Sequence, residues 1–182
     1  MLIPRSLFAA AAVTLTLFLA WKPAVAQPQA PSAPKQLVDN GNDTITDAQT
    51  GLMWEKKTTA AGSGPNLRDP RDVDNTYTWE QAMGDWVDQM NGRLIANVGD
   101  GGFAGYSDWR LPTLAELQTI VETNPTRVNA MFGANAAGPY WSSSRRALGP
   151  AIPWYVLFGS DIPVNVGQPF SFHVRAVRGV RR

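Results

Sequence analysis

The sequence predicts an α+β domain, and three observations carry that prediction. Two capped-helix signatures occupy the middle of the chain, a hairpin pattern precedes them, and three β-prone runs follow. Two helices between an opening hairpin and a closing antiparallel sheet make the α+β class.

The hairpin spans Val38 to Trp54. Thr44-Ile45-Thr46 and Leu52-Met53-Trp54 are β-prone, and Asp47-Ala48-Gln49-Thr50-Gly51 supplies the turn between them. A long polar loop from Lys56 to Asn75 follows, rich in Gly, Pro, Asp and Asn. Thr78 then caps the first helix, with Gln81 as its capping-box partner. Trp79, Ala82, Met83, Trp86, Val87 and Met90 recur at helical spacing, and Asn91-Gly92 stops the run. Four glycines between Gly99 and Gly105 form a loop into the Trp109-Arg110-Leu111-Pro112-Thr113 element. Pro112 pushes Leu111 toward extended geometry, because its ring clashes with a helical predecessor. Thr113 and Glu116 make a second capping box. Leu114, Leu117, Ile120 and Val121 give the second helix one core-facing stripe, and Asn124-Pro125 ends it. The closing runs are Tyr140 to Ser144, Pro153 to Phe158, and Phe172 to Arg178.

The ends and composition bound the function. Arg5, an uncharged apolar stretch of 14 residues from Leu7 to Ala20, and Ala24-Val25-Ala26 read as a signal peptide over 1–26, cleaved after Ala26. The stretch is short for a bilayer span, so export without a membrane anchor is expected, to the periplasm or the exterior. Prolines 28, 31 and 34 suit a polyproline spacer over 27–36. Residues 37–182 then read as one domain. The chain has no cysteine. That rules out a lipoprotein anchor, disulfides, thiol nucleophiles and cysteine metal sites together.

Charge is balanced overall but unevenly placed. Residues 27–139 hold 8 Lys/Arg and 14 Asp/Glu, whereas 140–182 hold 6 Arg and only Asp161. The overall balance argues against nucleic acid as a partner. The basic final segment suits a solvated surface or a contact for polyanions.

Five ordered segments carry a family resemblance: Asp47 to Glu55, Tyr77 to Ala82, Gly105 to Leu117, Tyr140 to Ser144, and Val174 to Gly179. Together they resemble the Lcl C-terminal domain family, a bacterial domain named for a collagen-like adhesin, from about Val38 to Arg178. The Arg110-Leu111-Pro112-Thr113 element and Tyr140-Trp141-Ser142-Ser143 are also similar to formylglycine-generating and sulfatase-modifying domains. The resemblance implies a C-type-lectin-like fold, which the element order fits, and an adhesin's terminal domain points to polysaccharide or protein ligands.

Most of the candidate site residues also have an ordinary structural role. Trp79 and Trp86 sit on a helical face and are expected in the core, and Trp54, Trp109 and Trp141 are expected to pack as well. Trp154 and Tyr155 are adjacent in a strand, so they face opposite sides, and one of them is the better candidate for stacking on a sugar ring. Asp69, Asp72, Asp74 and Asn75 lack the spacing of a calcium loop of the EF-hand type and read as a polar loop. Asp100 and Asp108 read as turn formers. His173, the lone histidine, reads as structural, since no G-x-S-x-G elbow exists. Glu80 and Glu116 are explained by helix first turns. Arg110 reads as a structural ion pair or carbonyl donor. Arg175 and Arg178, three apart in a strand, should project to opposite faces. Arg145-Arg146 follow a strand, and Arg181-Arg182 form a basic tail.

These readings lead to an exported, non-catalytic ligand-binding module with no metal and no cofactor. Its expected ligand is a polysaccharide, in particular an anionic one, or an envelope protein. Arg145, Arg146 and Arg175 are the expected contacts, with Trp154 or Tyr155 as the stacking neighbour. One rival is a structural or assembly protein of the envelope. The other is a divergent formylglycine-generating enzyme, disfavoured because that chemistry uses paired cysteines.

Overall fold

A computed structural model describes residues 36–58, 62–93, 101–121, 131–133, 135, 138–147, 152–158, 163–165 and 170–179. The expected signal peptide, most of the proline spacer, Asp100, Asn124-Pro125 and Arg181-Arg182 lie outside the described residues.

The opening hairpin forms as the sequence predicts. Strands β1 (Leu37–Asp39), β2 (Thr44–Asp47) and β3 (Leu52–Glu55) run antiparallel, with Ile45 opposite Trp54. The Asp47 carboxylate accepts the Gln49 N–H at 2.9 Å and the Gly51 N–H donates to the Asp47 carbonyl at 2.8 Å. Gly51 closes the turn at φ 71°, where a side chain would be strained.

Thr78 caps the first helix and Gln81 completes the box, as expected. The helix is one rod of three stretches: α1 (Trp79–Gln81), a π-helical turn (Ala82–Trp86) and α2 (Val87–Met90). Trp79, Ala82, Trp86 and Met90 are buried, whereas Met83 falls off the stripe and is 40% exposed. The second helix, α3 (Leu114–Val121), also has its box: Thr113 N–H to Glu116 at 2.7 Å, and Glu116 N–H to the Thr113 hydroxyl at 3.2 Å.

The β-rich last third holds more than the closing sheet expected. Strands β4 (Gly138–Arg145), β5 (Pro153–Phe158) and β6 (Pro163–Asn165) form one antiparallel sheet, with an irregularity in β4 between Trp141 and Arg145. The last run contributes only β7 (Val177–Arg178), which pairs with β3 and completes the first sheet in the order β1-β2-β3-β7. Phe172 and His173 make single bridges to Tyr77 and Tyr140. The run is interrupted because Ala176 N–H donates to the buried Glu55 carboxylate at 3.0 Å instead of to a neighbouring strand. The class is therefore α+β with two antiparallel sheets.

Two cores result. In the first, α3 packs on β4 and β5, and Leu117, Ile120 and Val121 meet Ile45, Leu52, Trp54, Phe132, Tyr140, Val156 and Val177. The second is mostly aromatic: Tyr77, Trp79, Trp86, Trp109 and Trp141, with Ala82, Met90, Leu111, Val174 and Ala176. Burying a large side chain contributes roughly 1.5–3 kcal/mol, so both cores matter to stability.

Candidate functional site

The five segments quoted above meet in space. The Pro112 carbonyl accepts the Ser143 N–H at 2.7 Å, and the Ser144 hydroxyl accepts the Leu114 N–H at 2.9 Å. The serines of β4 thus hold the start of α3. Arg110 and Val177 exchange two backbone bonds of 3.0 Å, joining the same element to β7. The side chain of Arg110 forms a two-pronged pair with Glu116, at 2.8 and 2.7 Å, and donates to the Leu111 carbonyl at 3.3 Å. Both expected roles of Arg110 are present. Burial would raise the Glu116 pKa, but the bonds from Arg110 and Thr113 hold it below its ordinary value.

Four of the five expected contacts lie on β4, just after it, or on β5. Arg145 ends β4, exposed, and its guanidinium lies 4.1 Å from the centre of the buried Trp79 ring. It makes no ion pair among the described residues. Arg146 follows it, also exposed, and its N–H donates to the Ile152 carbonyl at 2.9 Å, tying β4 to the entry of β5. Trp154 and Tyr155 are both half-buried. Alternation places Trp154 on the face whose Val156 joins the first core, and Tyr155 on the face of the second.

Tyr155 belongs to an aromatic row. It stands edge-on to Trp141 at 6.2 Å and to Phe172 at 4.7 Å, and Phe172 stacks with Phe170 at 5.9 Å. Phe170 is 51% exposed. Sequence reasoning missed this pair, although Phe170-Ser171-Phe172 has the two-residue spacing that puts alternate side chains on one side.

Arg175 is not on that surface. It is fully buried, donating to the Glu55 carbonyl at 2.9 Å and to the Asn135 side chain, with Phe132 5.3 Å away. The expected contact is corrected on this point, because a buried guanidinium used to brace loops cannot also meet a polymer. Beside it lies a buried pair that the sequence did not disclose. Lys57 Nζ is 2.7 Å from Glu55, with side chains 1% and 0% exposed. Burial pushes the Lys57 ammonium below its ordinary range, and Glu55 partly opposes this. The i, i+2 spacing of the two residues was the available signal.

Arg178 is the outward member of its pair. It binds Asp108 at 2.7 Å and covers the Tyr106 ring at 3.7 Å. Asp108, expected as a turn former, is therefore a salt-bridge partner. Arg71 similarly covers Phe103 at 4.3 Å and pairs with Asp43 at 3.1 Å. The second core thus has three arginines stacked on its rings, and Arg145 is the one without a carboxylate among the described residues.

The acidic loop is self-braced. Asp74 accepts the Gly62 and Gly64 N–H groups at 2.8 and 2.7 Å, Asp69 accepts the Arg71 N–H and the Thr58 hydroxyl, and Asp72 accepts the Asp74 N–H. Asp72 and Asn75 are buried, so the loop is less solvated than its composition suggests. Among the described residues, no three His, Cys, Asp or Glu side chains are grouped to hold a metal. His173 Nδ1 lies 3.2 Å from the Asn75 carbonyl, which assigns the proton to Nδ1, and its ring packs on Tyr140. Burial pushes its pKa below the ordinary value. This is a structural placement.

Comparison with known families agrees with the five segments. Residues 43–178 match the Lcl C-terminal domain, well over half of the chain, and the protein belongs to that family. A comparison with curated proteins gives no match. No helix among the described residues is long and apolar enough to cross a membrane.

Proposed function

We propose that the protein is an exported, non-catalytic ligand-binding module on a C-type-lectin-like scaffold, and that it recognises a polysaccharide bearing anionic groups. The observation that carries the reading is Arg145, exposed and lying on the Trp79 ring without a carboxylate partner among the described residues. Contact with the ring restrains the guanidinium, whose planar fork can hold two oxygens of a sulfate or carboxylate. Arg146 adds a second charge, and the row Tyr155, Phe172 and Phe170 offers ring faces of the kind that sugars stack on. The signal-like N-terminus supports a periplasmic or secreted location.

Chromatography on an immobilised sulfated polysaccharide tests this. Retention should fall as salt rises, since the screening length is only about 8 Å at physiological strength. It should fall further in an Arg145→Ala, Arg146→Ala double variant that still folds. Unchanged elution of that variant would remove both arginines from the site.

A second reading rests on the half-exposed Phe170 and the 38% exposed Leu157. Apolar side chains at a surface also suit docking to an envelope protein. Absence of retention at low salt, with capture of a single envelope partner that Phe170→Ala abolishes, would favour that reading.

A further inference from the structure

We infer that a second ligand site lies away from the Arg145 edge, in a cleft between the Arg68–Arg71 turn, the end of α2 and the Gly101–Ala104 loop, and that it takes a small organic anion: a sugar-sized ring bearing one acidic group. The cleft has a volume of about 390 Å³ and is lined in part by Arg68, Pro70, Arg71, Gln89, Met90 and Phe103. Ligand sites span roughly 300–1,000 Å³, so this one suits a single ring or two and not a long chain segment.

The walls are fixed before any ligand arrives. Trp86 Nε1 donates to the Pro70 carbonyl at 2.7 Å and holds the arginine turn. Trp109 Nε1 donates to the Phe103 carbonyl at 2.8 Å and holds the glycine loop. Gly102 lies so close to the helix end that a Cβ there would land on the carbonyl oxygens of Met90 and Tyr106. Ala104 keeps a φ of 55°, a left-handed conformation that costs an alanine energy and is found at ligand clamps. Two loops and a helix end locked in this way lose little entropy on binding.

The charge of the lining selects an anion. Arg68 is exposed at the cleft and makes no ion pair among the described residues. The one carboxylate of the lining, Asp69, already accepts the Arg71 N–H at 2.9 Å and the Thr58 hydroxyl at 2.7 Å. The negative end of α2 is also covered: the Val87 carbonyl accepts the Asn91 N–H and its side-chain amide, and the Gln89 carbonyl accepts the Gly92 N–H. Arg71 covers Phe103 with its charge met by Asp43 at 3.1 Å, so Arg68 is the cation left for the ligand, while the Phe103 ring and Met90 supply apolar contact to a flat body. Arg68 would meet the acidic group and the Gln89 amide a hydroxyl.

Titration of the folded protein with glucuronate, followed by tryptophan fluorescence and calorimetry, tests the site, with glucose as the uncharged counterpart. Glucuronate should bind saturably and glucose should not. Arg68→Ala, an exposed substitution, should weaken glucuronate roughly tenfold or more, the size of one lost hydrogen bond to a charged group. The Arg145→Ala, Arg146→Ala double variant should bind it as the parent does, which separates this site from the polymer-binding edge. No saturable binding, equal binding of glucose, or an Arg68→Ala variant indistinguishable from the parent would each overturn the inference.

Discussion

The two cores of this domain use aromatic residues in different ways. In the first, Ile45, Leu52, Leu117, Ile120, Val121, Val156 and Val177 fill the space between α3 and the sheets, and the Trp54 indole N–H is buried without a partner among the described residues. In the second, four indoles each donate to a backbone carbonyl outside their own element: Trp79 to Ser142, Trp86 to Pro70, Trp109 to Phe103 and Trp141 to Tyr77, at 2.7–2.9 Å. Three arginines then stack on that core's rings. The first core is held by volume. The second combines volume with directed bonds, which lets it fix irregular loops whose backbone groups have no strand to pair with. Both candidate surfaces lie against the second core.

Removing a whole side chain should hurt both cores and give the largest effects. Trp141→Ala should cost roughly 3–5 kcal/mol and Leu117→Ala roughly 2–5 kcal/mol in denaturant unfolding. A loss well under about 1 kcal/mol at either position would mean that the burial described is wrong.

The contrast itself is sharpened by removing only the indole N–H. Trp109→Phe removes the stronger of two donors to the Phe103 carbonyl, which keeps the Tyr106 N–H at 3.1 Å, whereas Trp54→Phe removes a donor with no described partner. The first change should cost about 1 kcal/mol more than the second. Equal losses would erase the distinction between the cores.

Local bonds at the junction of the cores should give smaller effects. Thr113→Ala removes the cap of α3 and should cost about 1 kcal/mol. Acid adds a second handle. Glu116 is held below its ordinary 4.5 in the folded chain, so the unfolded chain takes up its proton first. Its contribution is present above that value and lost as pH falls through the folded one. His173, pushed below 6.5 by burial, likewise stabilises above 6.5 and loses its contribution as pH falls toward the folded value. Stability measured against pH should therefore decline in two windows, and Glu116→Gln should flatten only the lower one.

The smallest expected effect is none. The oxygens of Asp69, Asp72 and Asp74 described above accept N–H and O–H groups of the chain, so thermal unfolding in calcium and in chelator should coincide. A saturable rise with calcium would replace the arginine-based reading with a calcium-dependent one.

Much of the frame was legible in the sequence because its signals act over a few residues. Two capping boxes, the Asp47–Gly51 turn and the buried tryptophan stripe are each specified within a few turns of chain, and Arg110 was expected in an ion pair although its partner Glu116 was not named. Opposite faces for Trp154 and Tyr155 followed from strand alternation alone. Tertiary structure decided the rest. The sequence said that Arg175 and Arg178 would diverge, but not which would turn inward. That depended on the Glu55 carbonyl, 120 positions away, which gives Arg175 its buried partner. The cleft behind Arg68 and the exposure of Phe170 were equally invisible, since each depends on segments brought together only by folding. A local pattern fixes what a side chain can do. Burial, and the partners that make a buried charge tolerable, belong to the whole fold.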